Sequence, residues 1–268
     1  MAFNVNELVL DKVRSLTAHS LTDCSMLFRL TSLEDPSLNC TAEGDEVTDA
    51  IGALITTLYR AKKATFSASN SLISLDLAAA QYGARKKVAT SLDKINVPTY
   101  EIISIPDGAT TVELKKESVE DILYIYHIEG GEIATAYSAA EEATAENFVF
   151  DFDGVKGKTI TLPNGLTGKI YVEYAYEADG TEGHGANQII NKTSQFPESC
   201  SVKIYAYFRD KCNDNIVYSG VIVSPKAKLN PESIELALTS TGKHAFEMTM
   251  MRDYCDDEAE LFSIIVAQ

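Results

Sequence analysis

Ser201-Val202-Lys203-Ile204-Tyr205-Ala206-Tyr207-Phe208-Arg209 and Ile216-Val217-Tyr218-Ser219-Gly220-Val221-Ile222-Val223 alternate apolar with polar residues along their whole length. A period of two sends successive side chains to opposite faces, so each run reads as a strand with one buried and one solvated face. Residues 210–215 between them form a polar hairpin loop. Strands of this length exceed the usual five or six residues. Long strands with one polar face tend to build sheets that continue across subunits. Downstream, residues 234–238, 245–250 and 260–266 carry further strand signals.

Toward the N-terminus the signals mix. Ser25-Met26-Leu27-Phe28-Arg29-Leu30 reads as a strand closed by the polar turn Glu34-Asp35-Pro36-Ser37. Residues 48–59, TDAIGALITTLY, are long enough for a helix, yet their β-branched residues and Gly52 favour strand; both stay open. Residues 64–68 alternate as a strand. Asn70 or Ser71 then N-caps a helix through Leu72, Ile73, Leu75, Leu77, Ala78 and Ala79, with Gly83 as the residue just past its end.

The middle of the chain has a different texture. Residues 98–183 hold 17 Asp/Glu against 5 Lys/Arg, a net of −12 within a chain total of −16. Pro106-Asp107-Gly108 and Pro163-Asn164-Gly165 are turn signals, Pro presetting φ and Gly accepting φ > 0. Strand runs at 100–105, 111–114, 123–126, 148–152, 159–162 and 169–174 flank and separate them, with a short helical connector as the alternative for 139–147. The expected fold is mainly β (α+β). Its organisation is 1–97, an inserted acidic Ig-like β-sandwich at 98–183, and 184–268.

Composition excludes several functions. A net of −16 opposes a nucleic-acid-binding surface, which needs clustered cations on phosphates. Arg85-Lys86-Lys87 lies near the helix end, where cations complement the helix dipole. The start, MAFNVNELVLDKVRS, does not read as a signal peptide, and no apolar run reaches membrane-spanning length. Five cysteines without a C-x-x-C spacing imply reduced thiols in a bacterial or cellular cytoplasm.

No catalytic, cofactor-binding or metal-ligating residue is singled out. Gly154-x-x-Gly157-Lys158-Thr159 has two residues between its glycines where a phosphate loop needs four, and reads as a hairpin turn. His19, His127, His184 and His244 form no ligand pair; His184 sits in a glycine-rich linker. Cys200 and Cys212 fall near the ends of one hairpin, as structural thiols. Residues 253–258 lack calcium-loop spacing and read as a solvated turn. No nucleophile elbow or dinucleotide fingerprint is present, so no enzyme is expected.

Phe196-Pro197 through the long strands to Pro225, then Thr241-Gly242-Lys243-His244-Ala245-Phe246, Asp253-Tyr254-Cys255 and Leu261-Phe262-Ser263-Ile264-Ile265, resemble phage structural proteins of the major tail tube type. Ala64-Thr65-Phe66-Ser67-Ala68-Ser69-Asn70 with its following helix fits the same resemblance, which spans 1–97 and 185–268. It implies a tail-tube-like β-sandwich with a flanking helix, homo-oligomerising as hexameric rings that stack into a virion tail tube. DNA would pass along the lumen without specific binding, and tape measure, terminator and tail-tip proteins would be partners. No cofactor or membrane segment is implied. The block at 98–183 would project outward, where a contractile sheath leaves little room, which favours a non-contractile tail. The competing expectation is a capsid-decoration or tail-tip adhesin; the absence of Trp argues against glycan binding.

Overall fold

A computed structural model describes residues 7–213, 215–232, 234–236, 242–253 and 260–267. The chain divides into two compact units: unit 1 comprises 1–86 and 189–268, and unit 2 comprises 87–188. In chain order, unit 1 begins with β1 (Leu8–Ser20), β2 (Met26–Leu30), β3 (Leu33–Thr48), β4 (Leu54–Asn70) and helix α1 (Leu75–Gln81). Unit 2 holds β5 (Lys87–Val88), β6 (Ile95–Ile105), β7 (Thr111–Ser118), β8 (Tyr124–Glu129), β9 (Glu132–Ala139), β10 (Asn147–Phe152), β11 (Gly157–Thr161), β12 (Gly168–Ala178) and β13 (Asn187–Gln188). Unit 1 resumes with β14 (Ser199–Asp210), β15 (Val217–Leu229), β16 (His244–Met250) and β17 (Ser263–Ala267). The protein is mainly β.

Unit 1 is one sheet in the order β2-β1-β14-β15-β16-β4-β3, with β17 also on β15. The second edge of β15 is shared: residues 219–223 pair with β17 and 227–229 with β16. Leu16, Phe28, Leu30, Val202 and Ile204 from one end of the order and Phe66, Phe246, Met248 and Met250 from the other occupy a single core. The sheet therefore folds over on itself, burying the apolar face of each long strand. Leu77 of α1 joins that core.

The helix starts later than expected. Asn70 and Ser71 are not its cap, because Asn70 still pairs in β4; Ser74 is the N-cap, its hydroxyl accepting from Leu77 N–H at 3.2 Å. Its end follows expectation. Gly83 lies at φ +66°, Gly83 N–H bonds Ala80 O and Ala84 N–H bonds Ala79 O. That is the Schellman closure. Two other expectations change in unit 1. The stretch Glu34 to Ser37 is a bulge inside β3, with Asp35 at φ +49°, where Pro36 costs no ladder bond. At 234–236 an isolated bridge from Leu236 to His244 stands where a strand was expected, while 237 and 238 lie outside the described residues.

In unit 2, β12 pairs along one whole edge with β6, and along the other with β8 and then β7. From β7 the ladder continues through β11, β10 and β9 to β8 and so returns to β12, with a parallel β9–β10 step. An immunoglobulin sandwich divides its strands between two separately bonded sheets; here one network closes on β12. Phe148, Ile125, Ile160 and Ile170 fill its interior. Both expected turns occur, with Gly108 and Gly165 at positive φ, but each Pro sits first in its turn and supplies the accepting carbonyl. No helix forms at 140–146, where Thr144 N–H bonds Asn147 O in a loop. β6 runs through position 98, and β5 pairs with β13, so the chain enters and leaves unit 2 on adjacent strands.

Candidate assembly surface

The ambiguous stretch 48–59 is the tip of a long hairpin. β3 and β4 pair from Leu33–Asn70 out to Thr48–Leu54. From 39 to 63 every residue except half-buried Thr57 is exposed, so the outer hairpin is an arm with solvent on both faces. Its turn is built rather than frayed. The Asp49 carboxylate accepts from Ile51 N–H at 3.0 Å and Ala53 N–H at 2.7 Å, and Gly52 supplies φ +83°.

Apolar side chains crowd this arm: Val47, Ile51, Leu54, Ile55, Leu58 and Tyr59, with Ile51 90% and Tyr59 76% exposed. Leu58 faces Asp45 across the ladder, and Tyr59 faces Gly44, where a Cβ would fall 3.2 Å from its ring. An isolated two-stranded hairpin is marginal in water. Large exposed apolar side chains concentrated on such an element are what interaction surfaces are made of. Each such side chain contributes about 1.5–3 kcal/mol when moved into a packed interface. The Arg60–Asp45 ion pair at 2.7 Å is fully solvated and adds little.

The sheet also has open edges. Among the described residues β2 and β3 end the strand order, and β17 pairs only with β15 while exposing Ile264 and Ile265. Unpaired edge N–H and C=O groups can be continued by another chain.

The residues singled out from sequence scatter. The stretch 153–156 is the β10–β11 turn, with the Asp153 carboxylate accepting from Val155 and Lys156 N–H, which holds its pKa below the carboxylate range. His127 contacts Thr167 O, and His184 stands edge-on to Tyr176 at 6.4 Å in unit 2; His19 and buried His244 belong to unit 1. Cys200 begins β14's core-facing run and pairs with Ala227, while Cys212 sits in the exposed loop after β14, so the two do not face each other. Burial pushes the Cys200 thiol up to about 11, so it is inert. Of the acidic run 253–258, Asp253 pairs with Lys226 at 3.3 Å; the remainder, with Cys255, lies outside the described residues.

The basic cluster lies beyond α1, not on its last turn. Lys86 bonds Asp76 at 2.6 Å and Lys87 bonds Asp93 at 2.7 Å. Among the described residues no group of three or more His, Cys, Asp or Glu could hold a metal, and no helix is long and apolar enough to cross a membrane.

A long apolar arm and open sheet edges are features through which chains associate. Comparison with curated proteins returned no match. The model of the YomU/Tube protein family matches residues 8–262, nearly the whole chain and both units. That family is one of phage tube-like structural proteins, not known as enzymes. The chain therefore belongs to the YomU/Tube protein family.

Proposed function

We propose that this protein is the subunit of a phage tail tube, closing into hexameric rings that stack into a conduit for DNA. The observation that carries the reading is the arm at 39–63, whose apolar side chains have no cover among the described residues. A head-to-tail contact between an arm and a different patch on the next copy generates a ring when the rotation closes. Stacked rings then make a tube held by many repeated contacts, with tape measure, terminator and tail-tip proteins at its ends. Unit 2, which carries 18 Asp/Glu against 7 Lys/Arg, is an inserted domain on the outer surface. There its charge keeps tubes apart in solution, and its bulk suits a non-contractile tail.

The test is sedimentation of the wild-type protein beside Ile55→Glu/Tyr59→Glu. Both positions are solvated in the single chain, so the double variant keeps the wild-type Tm. The wild type should run as ring-sized species and the variant as a monomer. An arm variant that assembles normally would remove the arm from the mechanism.

A further inference from the structure

The face of unit 1 turned away from its core is basic along β2, β1 and β14, although the chain is −16 overall. Leu16, Ala18, Phe28, Leu30, Val202 and Ile204 point into the core. Thr17, His19, Arg29, Ser201 and Lys203, which alternate with them, therefore face outward. The register sets Arg29, Thr17 and Lys203 in one row across the three strands, and Met26, His19 and Ser201 in the next. Neighbouring strands lie about 4.8 Å apart, so Arg29 and Lys203 are the residues on either side of Thr17.

Two features separate this row from an ordinary solvated face. Thr17 is only 7% exposed, yet its Oγ1 has no hydrogen-bond partner, and in half-buried His19 beside it the Nδ1 atom is shielded and unpartnered too. Buried polar atoms in folded proteins are nearly always paired. Arg29 and Lys203 take part in no ion pair among the described residues, whereas nearby Arg209 is held by Asp11 at 3.1 Å. Two cations outside any ion pair and two unpartnered polar atoms thus share two adjacent rows of one sheet face.

We propose that this row is an oxyanion site that receives carboxylate side chains of a second copy of the chain. The inference rests on the assembly reading above. Arg29 offers a planar fork to a carboxylate, Lys203 a point charge, Thr17 Oγ1 a neutral donor, and His19 Nδ1 a further donor in the tautomer that protonates it. A second copy brings acids in excess, 39 against 23 cations. The same face carries exposed Met26, Tyr205 and Ile265, which suit a protein surface and have no counterpart on a phosphodiester backbone.

Sedimentation velocity of the full chain tests this, comparing wild type, Arg29→Glu/Lys203→Glu and Thr17→Val at about 50 mM and about 500 mM salt. Wild type should assemble more weakly at high salt. The charge reversal should raise the concentration needed for assembly at least tenfold with an unchanged Tm. Thr17→Val should raise it several-fold while holding or raising the Tm, a split that a purely structural role would not produce. Arg29→Gln/Lys203→Gln replaces the reversal if that variant misfolds, with the same expectation. A reversal variant that assembles like wild type overturns the site and leaves the tube reading standing. A wild type that stays monomeric at every concentration fails the tube reading itself. If wild type binds a fluorescent DNA duplex through these two cations while assembly ignores them, the row is a phosphate site and the proposal falls.

Discussion

His244 Nε2 lies 2.6 Å from Gln81 Oε1, tying β16 to the end of α1 through a fully buried pair. Ser74 N–H approaches His244 Nδ1 at 3.4 Å, and Gln81 Nε2 donates to Ala245 O at 3.2 Å. These partners leave Nδ1 as the acceptor, so the proton sits on Nε2 and the ring is neutral. A second proton would set a donor against Ser74 N–H. Burial accordingly lowers the His244 pKa below its ordinary value.

Stability should follow. The unfolded chain takes up this proton near pH 6.5 and the folded chain does so only at lower pH, so ν_U exceeds ν_N in that window. Stability is intact above about pH 6.5 and declines as pH falls below it. Thermal melts from pH 8 to 5 should show the decline, and His244→Gln should flatten it even if its Tm is lower throughout. An unchanged slope in the variant would show that His244 is not the titrating group. Glu34, held below its usual range by Lys243 and Ser71, belongs to a separate window near pH 4 and lower.

Gly83 should be the least replaceable glycine in unit 1. Its φ of +66° costs a side-chain-bearing residue about 1–2 kcal/mol. An added Cβ would also fall 2.2 Å from Phe196 O, so backbone must move. Gly52 has a similar φ of +83° with nothing within 4 Å. Gly83→Ala should therefore lower the Tm several times more than Gly52→Ala in parallel calorimetry. Equal losses would mean that strain alone, without the Phe196 contact, sets the cost.

Removing unit 2 should leave unit 1 able to fold and assemble. β5 and β13 are hydrogen-bonded neighbours, so the two cut ends are about 5 Å apart, and about three Gly/Ser residues bridge them. A cut at 98 would instead sever β6, which pairs with β12 down to Ile95. Deletion of 88–187 should yield a soluble β protein by circular dichroism that still forms rings. An unfolded product would show that the two units depend on each other.

The sequence exposed those parts of the fold whose faces differ. β14 and β15 were legible because Val202, Ile204 and Ala206 are buried between exposed or half-buried neighbours. β1 was not read, because extra residues at Asp11 and Arg14 form bulges that break its alternation. The arm was ambiguous for the opposite reason: with water on both faces, Ile55 and Leu58 carry no period to read. β5 and β13 are two-residue ladders, too short to leave a pattern, which is why unit 2 runs beyond 98–183 at both ends. The candidate basic row was hidden entirely. Arg29, Thr17 and Lys203 are remote in sequence and meet only through the register of three strands.

Negative-stain electron microscopy of the purified wild-type protein at high concentration tests the central claim most directly. Closed rings of uniform diameter with six-fold symmetry, some stacked into hollow tubes, are the predicted result. A field of dispersed single particles that never associate would contradict it.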